Sequence, residues 1–193
     1  LTLNAGAEGY NVAVGVDAGR LMTTGVANTI IGGLAGDAIT TGGYNVALGY
    51  DALGANTIGN SNIAIGTGTM STNVAADRNV AIGTNALQNM TSASTADTYN
   101  TAVGYQAGLS VSTGTANTLI GGLAGDALTT GHSNIAIGYA ALSSEDEHGG
   151  NVAIGKDALT VQNAGAHAYN VAVGHQAGTA VTTGTFNTLI GGL

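Results

Sequence analysis

The sequence predicts an all-β protein, a parallel β-solenoid of about eleven coils of 17 residues. Three observations predict it. The pentad Asn-x-(Ala/Ile/Leu)-(Val/Ile/Leu)-Gly occurs eleven times, and eight of the ten spacings between successive pentads are 17 residues. Each pentad alternates larger and smaller side chains with the period of a strand. Gly supplies 33 of 193 residues and Pro none, and a helical solenoid would need roughly 30 residues or more per repeat.

Counting from the pentad Asn as position 1, positions 2 and 4 carry Val, Ile, Leu or Thr, position 3 is mostly Ala and position 5 is always Gly. This is a short strand with a larger face (2, 4) and a smaller one (1, 3, 5). All seven Tyr and the single Phe sit at two places. Tyr10, Tyr44, Tyr99, Tyr169 and Phe186 precede an Asn; Tyr50, Tyr105 and Tyr139 follow a pentad Gly. An extended chain would put them on the face of positions 2 and 4. Position 8 is Ala in nine of ten units, Thr69 being the exception, which predicts a crowded place. Apolar stretches at positions 11 to 14, such as "AITT" and "ALTT", predict a second short strand, and Gly25, Gly42, Gly114, Gly131 and Gly184 close the turn after it. Each coil is therefore expected to hold two short strands and two turns.

The exceptional spacings are 21 residues, from Asn79 to Asn100, and 19, from Asn151 to Asn170. Both units place their extra residues after the conserved half, in "NMTSASTADTY" and "VQNAGAHAY", as surface insertions would. A longer period lies over the short one. "NVAVGVDAG", "NTAVGYQAG" and "NVAVGHQAG" each precede an "NT(I/L)IGGL" unit, dividing the chain into super-repeats at roughly 11–99, 100–169 and 170–193 onward. Residues 1–193 read as one repetitive segment, expected to be an excerpt of a longer chain. Stacked at the strand spacing, ten intervals span about 48 Å. Copying a unit lengthens such a rod by one layer.

Composition bounds the partners. Charged residues are 7% of the chain, the net charge is −8 and the only cations are Arg20, Arg78 and Lys156, which argues against nucleic acid. No apolar run approaches about 18 residues, so membrane insertion is not expected. Zero Cys removes disulfides and thiolate chemistry. Abundant β-branched residues argue against disorder. Both faces of the first strand are apolar or small, and a thin coil cannot cover both, so the remaining face is expected to pack on another chain of the same kind.

No motif identifies an enzyme, and no cofactor is expected. "GNVAIGKD", Gly150–Asp157, nearly spells a phosphate loop, but Asp157 stands where Ser or Thr is needed and the middle reads as strand. "SSEDEHGG" is the one dense charged patch; Glu145, Asp146 and Glu147 are a candidate Ca²⁺ site without calcium-loop spacing, and otherwise a solvated turn. The same acids lack the set separation of a glycosidase pair. Asp17, Asp51 and Asp157 share position 7 without forming a ladder, and the four His residues read as scattered turn residues. Asn89-Met90-Thr91 matches a glycosylation sequon at chance level. The invariant Asn residues, Asn11, Asn28, Asn45, Asn62, Asn79, Asn100, Asn117, Asn134, Asn151, Asn170 and Asn187, are expected to form a structural amide ladder.

The pentads "NVAVG", "NIAIG" and "NTAVGYQAG" resemble the head repeats of trimeric autotransporter adhesins. They are still more similar to the "NTAVGYQA"-type repeat regions of phage tail fibres and related bacterial surface proteins, some ending in an endosialidase-type chaperone domain. The resemblance covers essentially the whole chain. It implies a left-handed β-roll, a homotrimer and an extracellular or virion location. The family's core apolar positions map onto Val12 and Val14, Ile63 and Ile65, Val80 and Ile82 and their equivalents. Two departures stand out: adhesin head repeats are usually shorter than 17 residues, and no coiled-coil stalk, anchor or chaperone domain lies within these residues. The resulting expectation is a structural fibre shaft of a tail fibre or surface adhesin, presenting a receptor-binding tip and touching host glycans through its Tyr rows. The alternatives are a polymeric extracellular filament unrelated to phage, and an ice-binding solenoid using Thr pairs such as Thr23-Thr24 and Thr40-Thr41. Those pairs vanish in the units beginning at Asn62, Asn79, Asn134 and Asn151.

Overall fold

A computed structural model describes residues 9–92 and 95–192. Among them it contains eleven three-residue strands and no helix: β1 Val12–Val14, β2 Thr29–Ile31, β3 Val46–Leu48, β4 Ile63–Ile65, β5 Val80–Ile82, β6 Thr101–Val103, β7 Thr118–Ile120, β8 Ile135–Ile137, β9 Val152–Ile154, β10 Val171–Val173 and β11 Thr188–Ile190. They form a single parallel sheet in sequence order. Position 2 pairs with position 2, 3 with 3 and 4 with 4 at every step. The chain is a parallel β-solenoid, one strand per coil.

The expected second strand is absent from the described coils. At positions 13 to 15 the N–H groups of Thr23, Thr24 and Gly25 all point to one carbonyl, that of Thr40, at 2.9–3.2 Å. A ladder would spread them over alternating carbonyls, so this stretch is a stacked corner. The extended-chain argument for the aromatics also fails. The residue before each Asn is left-handed, with φ of 44° at Tyr10, 60° at Tyr44 and 58° at Phe186. The aromatics nonetheless point outward, because this turn carries them off the strand and away from the interior; Tyr10 and Phe186 are each 75% exposed.

The interior belongs to the small face. Ala47, Ala64, Ala81, Ala102, Ala136, Ala153 and Ala172 at position 3 are fully buried, as are position-8 alanines such as Ala35, Ala52 and Ala86. Val12 and Val14 are 48% and 57% exposed, and Ile82 is exposed while Ile63, Ile65 and Val80 are half-buried. The mapping of the family's core onto these positions therefore does not hold for the core of one coil: a 17-residue loop has room inside for Ala, and the β-branched residues face out.

Interior volume is shared by exchange. Coils with Ala at position 3 often carry a large residue at position 9, as in Ala47 with Leu53, Ala64 with Met70 and Ala81 with Leu87. Coils with Ile or Leu at position 3 carry Gly at 9: Ile30 with Gly36, Leu119 with Gly125. A Cβ on Gly125 would meet Leu119 at 2.7 Å and Leu128 at 2.8 Å. The "NxAVGxxAG" coils are small at both positions. Their space is filled by neighbours, since a Cβ on Gly108 would lie 2.7 Å from Leu119 above and 2.9 Å from Leu87 below. The same holds at Gly178, between Leu159 at 2.8 Å and Leu189 at 2.9 Å. This gives the long period a physical cause: an under-filled coil must be followed by one whose position 3 is Ile or Leu.

Position 5 is Gly for a backbone reason. Its φ lies at +128° to +141°, a region closed to L side chains, and coils stack Gly on Gly so closely that a Cβ at Gly83 would lie 2.4 Å from the Gly104 oxygen.

Candidate functional site

An extended apolar surface among the described residues is the outward sheet face. Positions 2 and 4 of eleven adjacent strands lay Val, Ile, Leu and Thr in two parallel rows. Tyr44 and Tyr50 flank the third strand, Tyr99 and Tyr105 the sixth, all more than half exposed. Isolated apolar residues on a surface are ordinary, but a contiguous apolar patch of this kind marks an interaction surface.

The amide ladder lies beneath this face and fixes the stacking. At each of ten steps the backbone N–H of one Asn donates to the Oδ1 of the Asn below, at 2.8–3.2 Å. Nδ2 of Asn28, Asn45, Asn62, Asn100, Asn117 and Asn134 donates to the carbonyl fourteen residues on, at 2.8–3.0 Å. In the two coils with extra residues, Nδ2 of Asn79 donates to Asp77 O at 3.1 Å while Thr98 Oγ1 donates to Asn79 Oδ1 at 2.8 Å, and Nδ2 of Asn151 donates to Asn134 Oδ1 at 3.2 Å. A second buried polar stack replaces apolar residues at position 12, where Asn73 Nδ2 donates to Asn56 Oδ1 at 3.2 Å. Sequence reasoning missed it, although two Asn residues 17 apart were its signal.

The remaining candidates fall at the corners. Thr23, Thr40 and Thr57 donate their hydroxyls to the carbonyl of the next coil at 3.0–3.2 Å, so these Thr residues serve stacking. The near-phosphate-loop segment contains β9. Of the acidic patch, Glu145 is fully buried, whereas Glu147 is exposed. The histidines are not scattered: His132 and His167 pack edge to face at 4.9 Å between centroids, and His148 and His167 at 6.2 Å. His175 takes no part in these ring contacts. The missed signal was the shared corner, positions 15 to 17 of three successive coils. His167 continues to Tyr169 at 5.9 Å, which stacks on Phe186 at 5.5 Å.

Among the described residues, the carboxyls of Asp51, Asp126 and Asp157 are perturbed. Burial, with a contribution from Asp37, raises Asp51 above the usual carboxylate range. Burial also raises Asp126, whose Oδ1 has no hydrogen-bond partner. A hydrogen bond from Lys156 lowers Asp157. A hollow lined by Gly178, Val181, Leu189 and Ile190 continues the coil interior at the last two strands. No family model matches this sequence, and no curated protein or solved structure is significantly similar to it.

Proposed function

We propose that this chain is a shaft segment of an extracellular or virion fibre, a homotrimer in which three solenoids bury their outward sheet faces against one another. The observation that carries the reading is that face: two continuous rows of β-branched and aliphatic side chains, edged by Tyr, on an eleven-stranded sheet whose inner side is already filled. Burial of apolar surface is worth about 25 cal/mol per Å², and self-association covers a repeating surface with a surface of the same repeat. The pentad resemblance supports the count of three, the left-handed winding and the role in a tail fibre or adhesin. Function is then mechanical: repetition gives length and stiffness, and recognition resides in a tip.

The native mass in solution, by light scattering after size exclusion, tests it. The expected result is three chains per particle, with Ile82→Asp lowering the mass to one chain while the circular dichroism of the solenoid persists. A wild-type monomer at tens of micromolar, or another stoichiometry, overturns the trimer. Immunogold labelling tests the location, and label absent from both virions and cell-surface fibres overturns the fibre role.

A further inference from the structure

The coil beginning at Asn134 breaks the repeat where the solenoid has no need of a break. Its positions 12 to 15 read Glu145-Asp146-Glu147-His148, against Leu128-Thr129-Thr130-Gly131 one coil below. Position 12 points into the core, and Glu145 is fully buried there. A buried carboxylate costs several kcal/mol unless it is well compensated. Leu128, Val111 and Ile39 occupy the same position without that cost.

The surroundings of Glu145 include ligand-type groups, and its Oε1 also accepts from the His148 backbone N–H at 3.2 Å. One ligand atom each from Glu145, Asp146 and His148 all lie within 4.8 Å of one another. His148 Nδ1 stands 3.3 Å from Glu145 Oε1. The next coil changes at the same interior place, independently of the acidic turn. Gln162, fully buried, donates Nε2 to Glu145 Oε2 at 2.8 Å, and its Oε1 has no partner. An orphaned buried amide oxygen beside a buried carboxylate is the kind of deficit that a bound ion or its water makes good.

We propose that this corner binds one divalent transition-metal ion, of which zinc is the representative, through Glu145 Oε, Asp146 Oδ and His148 Nδ1, with water completing the shell and reaching Gln162 Oε1. An imidazole among the ligands favours zinc-like ions over calcium, which takes six to eight oxygens. Ligand atoms about 2.1 Å from a tetrahedral zinc lie about 3.4 Å apart; Glu145 Oε1 and His148 Nδ1, at 3.3 Å, already have that spacing, and the Asp146 carboxylate, within 4.8 Å, closes in to complete the set. His167 accepts from Gly149 N through Nδ1 at 3.1 Å, which commits that nitrogen and leaves the ring to pack beside His148 as a wall of the site. The ion would neutralise the buried carboxylate and tie the turn of one coil to the core of the next.

The test uses the whole chain, stripped with chelator and dialysed, titrated calorimetrically with ZnCl₂ and separately with CaCl₂, with melting temperature read alongside. The expected result is one zinc per chain, a melting temperature higher by several degrees, and no calcium heat. His148→Ala and Glu145→Gln should each weaken zinc at least about tenfold, while His175→Ala leaves it unchanged. His148→Ala lies on a partly exposed turn, so it decides the matter if Glu145→Gln fails to fold. No zinc binding by the wild-type chain at about 100 μM, full binding retained by folded His148→Ala, or calcium bound more tightly than zinc would each overturn the site.

Discussion

Exchanging Leu119 and the missing side chain of Gly125 tests whether interior volume is what orders the coils. Leu119 is fully buried, and its Cδ atoms fill the space left by two glycines, Gly125 in its own coil and Gly108 in the coil before. Leu119→Ala opens both spaces at once, and neither glycine can move a side chain into the hole. Leu→Ala in cores costs about 2–5 kcal/mol, rising with residual cavity, so this variant belongs near about 4 kcal/mol. Gly125→Leu alone drives a side chain into Leu119 and Leu128, contacts already at 2.7 and 2.8 Å for the Cβ alone. Overpacking costs about 1–3 kcal/mol, and a left-handed Leu about 1–2 kcal/mol more.

The double variant recreates the pattern of Ala47 with Leu53, where Leu53 holds φ 54° at the same position. It removes the clash with Leu119 and most of the cavity, leaving the contact with Leu128, the left-handed cost and a remnant void at Gly108. We expect a loss of about 2–3 kcal/mol, at least about 2 kcal/mol better than the sum of the single variants. Urea unfolding followed by circular dichroism measures it, with amide exchange in the three coils that begin at Asn100, Asn117 and Asn134 reporting locally. Additive losses would refute interior exchange as the reason that an under-filled coil and an Ile/Leu coil occur together.

Three further outcomes follow from the same geometry. Gly121→Ala, at φ +131° with its Cβ 2.5 Å from Gly138 O, should cost more than about 4 kcal/mol and break stacking locally, whereas Gly165→Ala, at φ +65° with nothing within 4 Å, should cost about 1 kcal/mol; thermal melts compare them directly. Asn117→Ala leaves Asn134 N and Gly131 O without their present partners in the interior, and orphaned buried groups cost about 1–3 kcal/mol each, so a urea midpoint equal to wild type would contradict the ladder's role in stability. Asp126 has a raised pKa in the folded chain, so folding favours its protonated form; its penalty is absent at low pH and grows as pH rises through and above the usual carboxylate range. Asp126→Asn should therefore raise the melting temperature at pH 7 and lose that advantage below about pH 4, and an advantage that is larger in acid would reverse the sign argued here.

Register, parallel order and the one-strand pentad were legible because they depend on periodicity alone: Asn, Ala and Gly return at fixed places, and identical residues stack on one another. The direction of the strand's faces was not legible. Val12 and Ile82 look like core by hydrophobicity, and only the small bore of a 17-residue coil puts Ala inside and the larger residues out. The second strand was overread from "AITT" and "ALTT". Their β-branched residues serve a corner in which one residue, position 12, enters the core and the Thr beside it donates to the next coil. The histidine cluster was hidden because His132, His148 and His167 occupy different positions of the repeat, and the 19-residue unit shifts the last of them. Spatial proximity at a corner does not require equal phase.

Variation collects at that corner for a reason the hydrogen bonds supply. Along the strand, positions 1 to 5 are held by sheet pairing, by the Asn ladder and by the Gly-on-Gly approach, so an extra residue there would shift every bond of the coil. After position 12 neighbouring coils are joined largely through one shared carbonyl, and the bond from Asn Nδ2 to the position-15 carbonyl can be rerouted. Asn151 does so in one lengthened coil, without losing the backbone step to Asn170. The lengthened corners then carry groups rare elsewhere in the chain: Arg78 paired with Asp97 beside Tyr99 in one, and His167 against His132 and His148 in the other. A solenoid of this design separates its tasks by position. The strand fixes axial rise, the outward rows stay clear of the stack, and the corner can acquire new chemistry without disturbing it.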